Sequence, residues 1–78
     1  MSATINVSAE PLALTIRDLA ALLRRSEPSL HRDNAAGRLP RPIRLNKSLR
    51  WLRSEILEWL GMGCPTREQF EARKKAAR

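Results

Sequence analysis

Tyrosine is absent from this chain, and cysteine and histidine occur once each, as Cys64 and His31. A single cysteine excludes an intrachain disulfide and favours a reducing, cytoplasm-like compartment. One thiol and one imidazole also make a poor metal centre, because structural zinc draws its ligands from several Cys and His side chains. Aromatic residues are scarce, with only Trp51, Trp59 and Phe70. RNA-binding surfaces more often display stacking aromatics, so RNA is a weak expectation. No run approaches the ~20 apolar residues of a membrane span, and the stretch up to Leu14 lacks the basic and apolar regions of a secretory signal. There is no glycine-rich phosphate loop and no metal-ligand spacing. Glu55 and Glu58, three apart, read as a solvated helix face. Neither an enzyme nor a cofactor is expected.

What the chain has in excess is positive charge. Its 78 residues are enough for one domain, and fifteen Lys and Arg against eight Asp and Glu leave a formal charge of +7. The excess is uneven: residues 24–50 hold eight basic side chains and two acidic ones, Glu27 and Asp33. Such clustering concentrates polyanions locally. Most of these cations are arginines, the better bidentate ligands for phosphate and guanine.

Periodicity predicts the elements. Residues 1–11 show no period and read as a flexible tail, with one short extended segment expected over 11–14. Thr15 followed by Asp18 fits a capping box, and Ile16, Leu19, Ala20 and Leu23 form the apolar stripe of a first helix closed by Arg24 and Arg25. Ser26 caps a second helix over 27–36, with Pro28 in its first turn and Gly37 as its stop. Two or three intervening residues force a sharp crossing, as in a helix-turn-helix. Ile43-Arg44-Leu45 and Leu49-Arg50-Trp51 alternate around Asn46-Lys47-Ser48 and predict a β-hairpin. With a three-residue turn, Ile43, Leu45, Leu49 and Trp51 share one face, and Arg44 sits opposite Arg50. Like charges across a ladder are unfavourable, and an anion between them would relieve the repulsion. A third helix over 53–60 turns Ile56, Trp59 and Leu60 inward, with Leu57 at the edge. Thr66 and Gln69 then suggest a second capping box for a short C-terminal helix, with Phe70 docked on the core and Arg73-Lys74-Lys75 in a solvated tail. The expected fold is mainly α with a small β-hairpin. Its body spans residues 12–61, followed by a basic extension over 62–78.

Candidate DNA contacts follow from this plan. On the second helix, Ser29 and Arg32 share a face. Arg32 suits a guanine edge or a phosphate, and Ser29 suits either as well. His31 and Asn34 are weaker candidates, Asn34 as an adenine reader, and Arg38 past Gly37 suits a phosphate. Lys47 marks the hairpin tip, with Arg44 and Arg50 on its polar face. Leu30, Trp51 and Trp59 are expected in the core.

The ordered runs Leu14-Thr15-Ile16-Arg17-Asp18-Leu19-Ala20, Ser26 to Arg32, Gly37-Arg38-Leu39-Pro40-Arg41-Pro42-Ile43-Arg44-Leu45, and Arg50-Trp51 with Ser54-Glu55-Ile56 to Trp59-Leu60 resemble the AlpA group of MerR-like winged-helix proteins, over about residues 12–60. The resemblance implies a winged helix-turn-helix in the order α-α-β-β-α that binds double-stranded DNA, with the second helix in the major groove and the wing in the minor groove. Members act as excisionases or as small transcriptional regulators. The resemblance also implies an integrase or RNA polymerase as protein partner, and cooperative copies along DNA are a further expectation. Departures fall at His31, where larger aromatics are common, and at Asp33 and Asn34, where apolar residues are. Asp33 moreover brings negative charge towards the DNA. The rival expectation is a protein-interaction adaptor or anti-repressor that sets its basic face on an acidic partner.

Overall fold

A computed structural model describes residues 11–76. The elements run β1 (Ala13–Leu14), α1 (Ile16–Leu23), α2 (Glu27–Ala35), β2 (Ile43–Leu45), β3 (Ser48–Leu52), α3 (Arg53–Gly61) and α4 (Arg67–Ala76). Four helices surround a small antiparallel sheet in the order β1-β3-β2. The tail expected over 1–11 lies, apart from Pro11, outside the described residues.

Local chemistry explains most element ends. The Asp18 N–H donates to Thr15 Oγ1 at 3.0 Å and the Thr15 N–H donates to Asp18 Oδ2 at 3.1 Å, which satisfies two of the orphan donors at the start of α1. Replacing Thr15 by alanine is expected to lower stability by about 1 kcal/mol, read as a fall in the urea midpoint with an unchanged slope. Arg24 ends α1 in the left-handed region, and two residues later Ser26 Oγ accepts from the Ser29 N–H to open α2. Gly37, at φ 73°, supplies the positive φ that lets the chain leave α2.

The core takes one or two side chains from almost every element. Leu14, Leu19, Leu30, Leu39, Trp51, Ile56, Trp59 and Phe70 are buried together, and no polar or charged residue is buried among the described residues. Each indole keeps its N–H bonded while its ring is enclosed. Trp51 donates to the Pro40 carbonyl at 3.0 Å and Trp59 to the Pro65 carbonyl at 2.8 Å. Leu60 departs from expectation: it is partly exposed, because Ile56 and Trp59 already fill the inward side of α3.

The C-terminal segment forms the expected helix with Phe70 docked on the core, and the second departure lies at Lys74. Thr66 and Gln69 form the reciprocal cap of α4. Phe70 is 1% exposed in the core. Lys74, expected in a solvated tail, bonds Glu55 of α3 at 2.6 Å and lies over the Phe70 ring at 5.1 Å. The ammonium thus meets both a carboxylate and the negative face of a ring.

The third departure is the hairpin register. The turn has two residues, Asn46 and Lys47, and the pairs are Ile43 with Arg50, Arg44 with Leu49, and Leu45 with Ser48. A tight two-residue loop needs a positive φ, which Asn46 provides at 58°. Shortening the turn by one residue moves every β2 side chain to the other face relative to β3. Arg44 and Arg50 therefore do not oppose each other, and the repulsion inferred from the sequence is absent. Ile43 and Leu45, expected inside with Leu49 and Trp51, lie on the outer face with Arg50 and Leu52 and are exposed.

Candidate nucleic-acid interface

Helix α2 separates its residues cleanly by burial. Leu30 is fully enclosed and locks the helix against the core, while Pro28, His31, Arg32 and Ala35 are exposed at the i, i+3, i+4, i+7 spacing of one outward ridge. Ser29 is half-buried at the side of that ridge. The only carboxylate exposed on α2 is Glu27, in the first turn, where it suits the helix dipole.

Ser29 and Arg32, paired from the sequence by their spacing, are in contact. An Arg32 Nη2 proton is donated to Ser29 Oγ at 3.2 Å, and the Ser26 hydroxyl donates to the same oxygen at 2.9 Å. A serine oxygen has two lone pairs. The Ser29 oxygen therefore sits between Ser26 and Arg32 at the side of the ridge. Arg32 keeps donors beyond the one it gives to Ser29, so the hydroxyl steadies the guanidinium without consuming it.

Asp33, the residue that departs from the resemblance by bringing negative charge, turns away from the ridge. Its side chain is 16% exposed and lies between two guanidiniums, with Arg25 Nη2 at 2.9 Å from Oδ2 and Arg38 Nε at 3.3 Å from Oδ1. The cluster carries one net positive charge. It also ties the α1–α2 turn to the segment past Gly37, where the Arg38 N–H donates to the Asp33 carbonyl at 2.8 Å. The sequence showed Arg25 only as a helix-end cation, and its tie to Asp33 depends on how the two helices cross.

Asn34 serves the end of α2 rather than the outward ridge. It is half-buried, and its Oδ1 accepts from Arg67 Nη2 at 2.7 Å. An adenine reader needs both ends of the carboxamide, and here the oxygen serves the fold. Arg67 also donates to the carbonyls of Asn34 and Leu39, and its N–H donates to the Gly37 carbonyl. This one arginine clamps the C-terminal end of α2 to α4 from more than thirty residues away, and no local sequence signal marks it.

On the hairpin, Lys47 is exposed at the turn and Arg44 is exposed on β2. Arg50 is half-buried and its guanidinium turns back onto the Leu49 carbonyl at 2.9 Å. No carboxylate of the described residues pairs with any of the three. Elsewhere Arg41 and Glu71 form an exposed two-point pair, at 2.9 and 3.4 Å. The hydrogen bond between them, more than their charges, raises the Arg41 pKa and lowers that of Glu71. The small stability this pair adds is therefore present above the ordinary carboxylate range and is lost as pH falls through the depressed Glu71 value.

Among the described residues no three His, Cys, Asp or Glu side chains gather as a metal-ligand set, and no helix is long and apolar enough to cross a membrane. Comparison with protein-family models, with curated proteins and with solved structures finds no match.

Proposed function

We propose that the chain binds duplex DNA sequence-specifically as a winged helix-turn-helix. In this reading α1 and α2 form the helix-turn-helix, α2 enters the major groove and the β2–β3 hairpin is the wing. The protein acts in the cytoplasm as a recombination directionality factor or a small transcriptional regulator. One observation carries the reading: the ridge of α2 presents His31 and Arg32 beside Ser29, while the nearby acid, Asp33, is turned under it and covered by Arg25 and Arg38. A recognition helix needs donors facing the base edges, and the one exposed acid of α2, Glu27, stands in its first turn. Arg44 and Lys47 serve as phosphate contacts.

Fluorescence anisotropy against a library of genomic duplexes, across a salt series, tests the proposal. Log affinity is expected to fall linearly with log salt while one class of fragment stays preferred at fixed salt. Lys47→Ala is expected to weaken all duplexes alike and to reduce the salt slope by about 1. Equal affinity for every duplex in the library would overturn the reading.

A further inference from the structure

β2 is the one element that gives nothing to the core, and all three of its residues are exposed. The outer face of the sheet consequently carries an aliphatic ridge. Leu45 is 51% exposed, Ile43 38% and Leu52 37%. Ile43 and Leu52 share this face because their β3 and β1 partners, Arg50 and Ala13, lie on it too. Towards α4 the ridge runs into a cleft of about 230 Å³, where Ile43 and Leu52 meet the Phe70 side chain. The ridge is thus continuous with the wall of a concavity, as isolated surface leucines are not.

Charge around the ridge selects its occupant. The carboxylates at the cleft, Glu55 and Glu71, are already paired with Lys74 and Arg41 and contribute little net field. Of the hairpin charges without a carboxylate partner, Arg50 lies on this face and Lys47 at the turn beside it, while Arg44 lies on the opposite face with Leu49. A second copy of this chain, itself strongly basic, would bring its own cations against these. DNA offers phosphates to Lys47 and Arg50 but little to a row of aliphatic side chains that must be desolvated. A segment of another protein with aliphatic side chains set between carboxylates satisfies both features at once.

We propose that the outer face of the β2–β3 hairpin, with the adjoining cleft against α4, is a docking surface for an acidic, aliphatic-rich segment of a partner protein. The surface is distinct from the α2 ridge and shares only Lys47 with the contacts proposed for DNA, and the inference does not rest on the reading of that helix. In it Ile43, Leu45 and Leu52 supply the apolar contact, and Lys47 and Arg50 set the sign of the partner.

Selection of a random twelve-residue phage-displayed peptide library on the full-length protein tests this. Enriched sequences are expected to interleave Leu, Ile or Phe with Asp or Glu. The corresponding fluorescent peptides should lose at least tenfold in affinity for the Ile43→Ser/Leu45→Ser variant. Both positions are solvent-facing, so the variant should retain wild-type circular dichroism, and Leu45→Ser alone gives a second, milder check. Several results overturn the proposal. These are no enrichment, enrichment of basic peptides, equal peptide affinity for wild type and variant, and a wild-type dimer in sedimentation that the double variant abolishes. A variant that keeps peptide binding but loses duplex affinity also overturns it, because the ridge would then belong to the DNA contact. Failure of the α2 reading would appear separately, as duplexes bound without preference by a protein that still binds the acidic peptides.

Discussion

Trp51→Ala is expected to leave the chain largely unfolded at 37 °C. Trp51 is 1% exposed at the centre of the sheet, paired with Leu14 of β1 and enclosed by side chains from the helices. Truncating a buried aromatic of this size costs about 3–5 kcal/mol, through lost apolar transfer and the cavity left behind. The indole N–H also satisfies the buried Pro40 carbonyl, which would lose its partner. A domain of this size has a net stability of only several kcal/mol. Urea unfolding followed by circular dichroism should show a midpoint near zero denaturant for Trp51→Ala. Trp51→Phe, which refills most of the volume but not the hydrogen bond, should fall between that variant and the wild type. A Trp51→Ala protein with a wild-type midpoint would show that the sheet does not depend on this side chain.

The second large effect is expected at Arg32, and it concerns discrimination rather than stability. Arg32 is exposed, so Arg32→Ala should fold normally. If the guanidinium reads a base edge bidentately, the variant should lose about 1–3 kcal/mol of preference for the best duplex over a random one, about tenfold for each 1.4 kcal/mol. The ratio of the two affinities at one salt concentration is the quantity to follow, since any lost cation weakens all duplexes. Arg32→Lys separates the alternatives: it keeps the charge but not the planar fork. It should retain the salt dependence and lose the preference. Ser29→Ala should show a weaker form of the same loss, because it frees the guanidinium from the hydroxyl that steadies it. An unchanged ratio in Arg32→Lys and Arg32→Ala would remove Arg32 from base reading and leave it a phosphate contact at most.

The features legible in the chain were those decided within a few residues. Thr15 with Asp18, Ser26 before Glu27 and Pro28, Gly37 after Ala36, and Thr66 with Gln69 each mark a helix end, because the groups that satisfy an orphan N–H or permit a positive φ are local. Leu30 facing inward and Arg32 facing outward follow from the helical period in the same way. The two tryptophans were legible as core because each falls at an apolar position of its own pattern.

Where the sequence reading departed from the structure, the deciding partner was remote or the local signal was degenerate. Residues 43–51 alternate equally well around a two-residue or a three-residue turn, and a one-residue difference reverses which face β2 offers to the core. The fold takes the two-residue turn, with β1 on the other edge of β3 and Leu14 paired with the buried Trp51. The same decision separates Arg44 from Arg50 and exposes Ile43 and Leu45. Asp33 looked like a liability of the second helix and Asn34 like an adenine reader until Arg25, Arg38 and Arg67 were brought onto them. Arg67 lies 33 residues from Asn34 in the chain.

The amino-acid order by itself thus determined where helices begin and end and which side of each is apolar, because those properties depend on spacing and on hydrogen bonds made within one turn. Only the assembled tertiary structure decided the hairpin register, the pairing of Asp33 beneath α2 and the clamp of Arg67 between α2 and α4. Those outcomes depend on which surfaces meet, and the spacing of residues along one element carries no information about its neighbour.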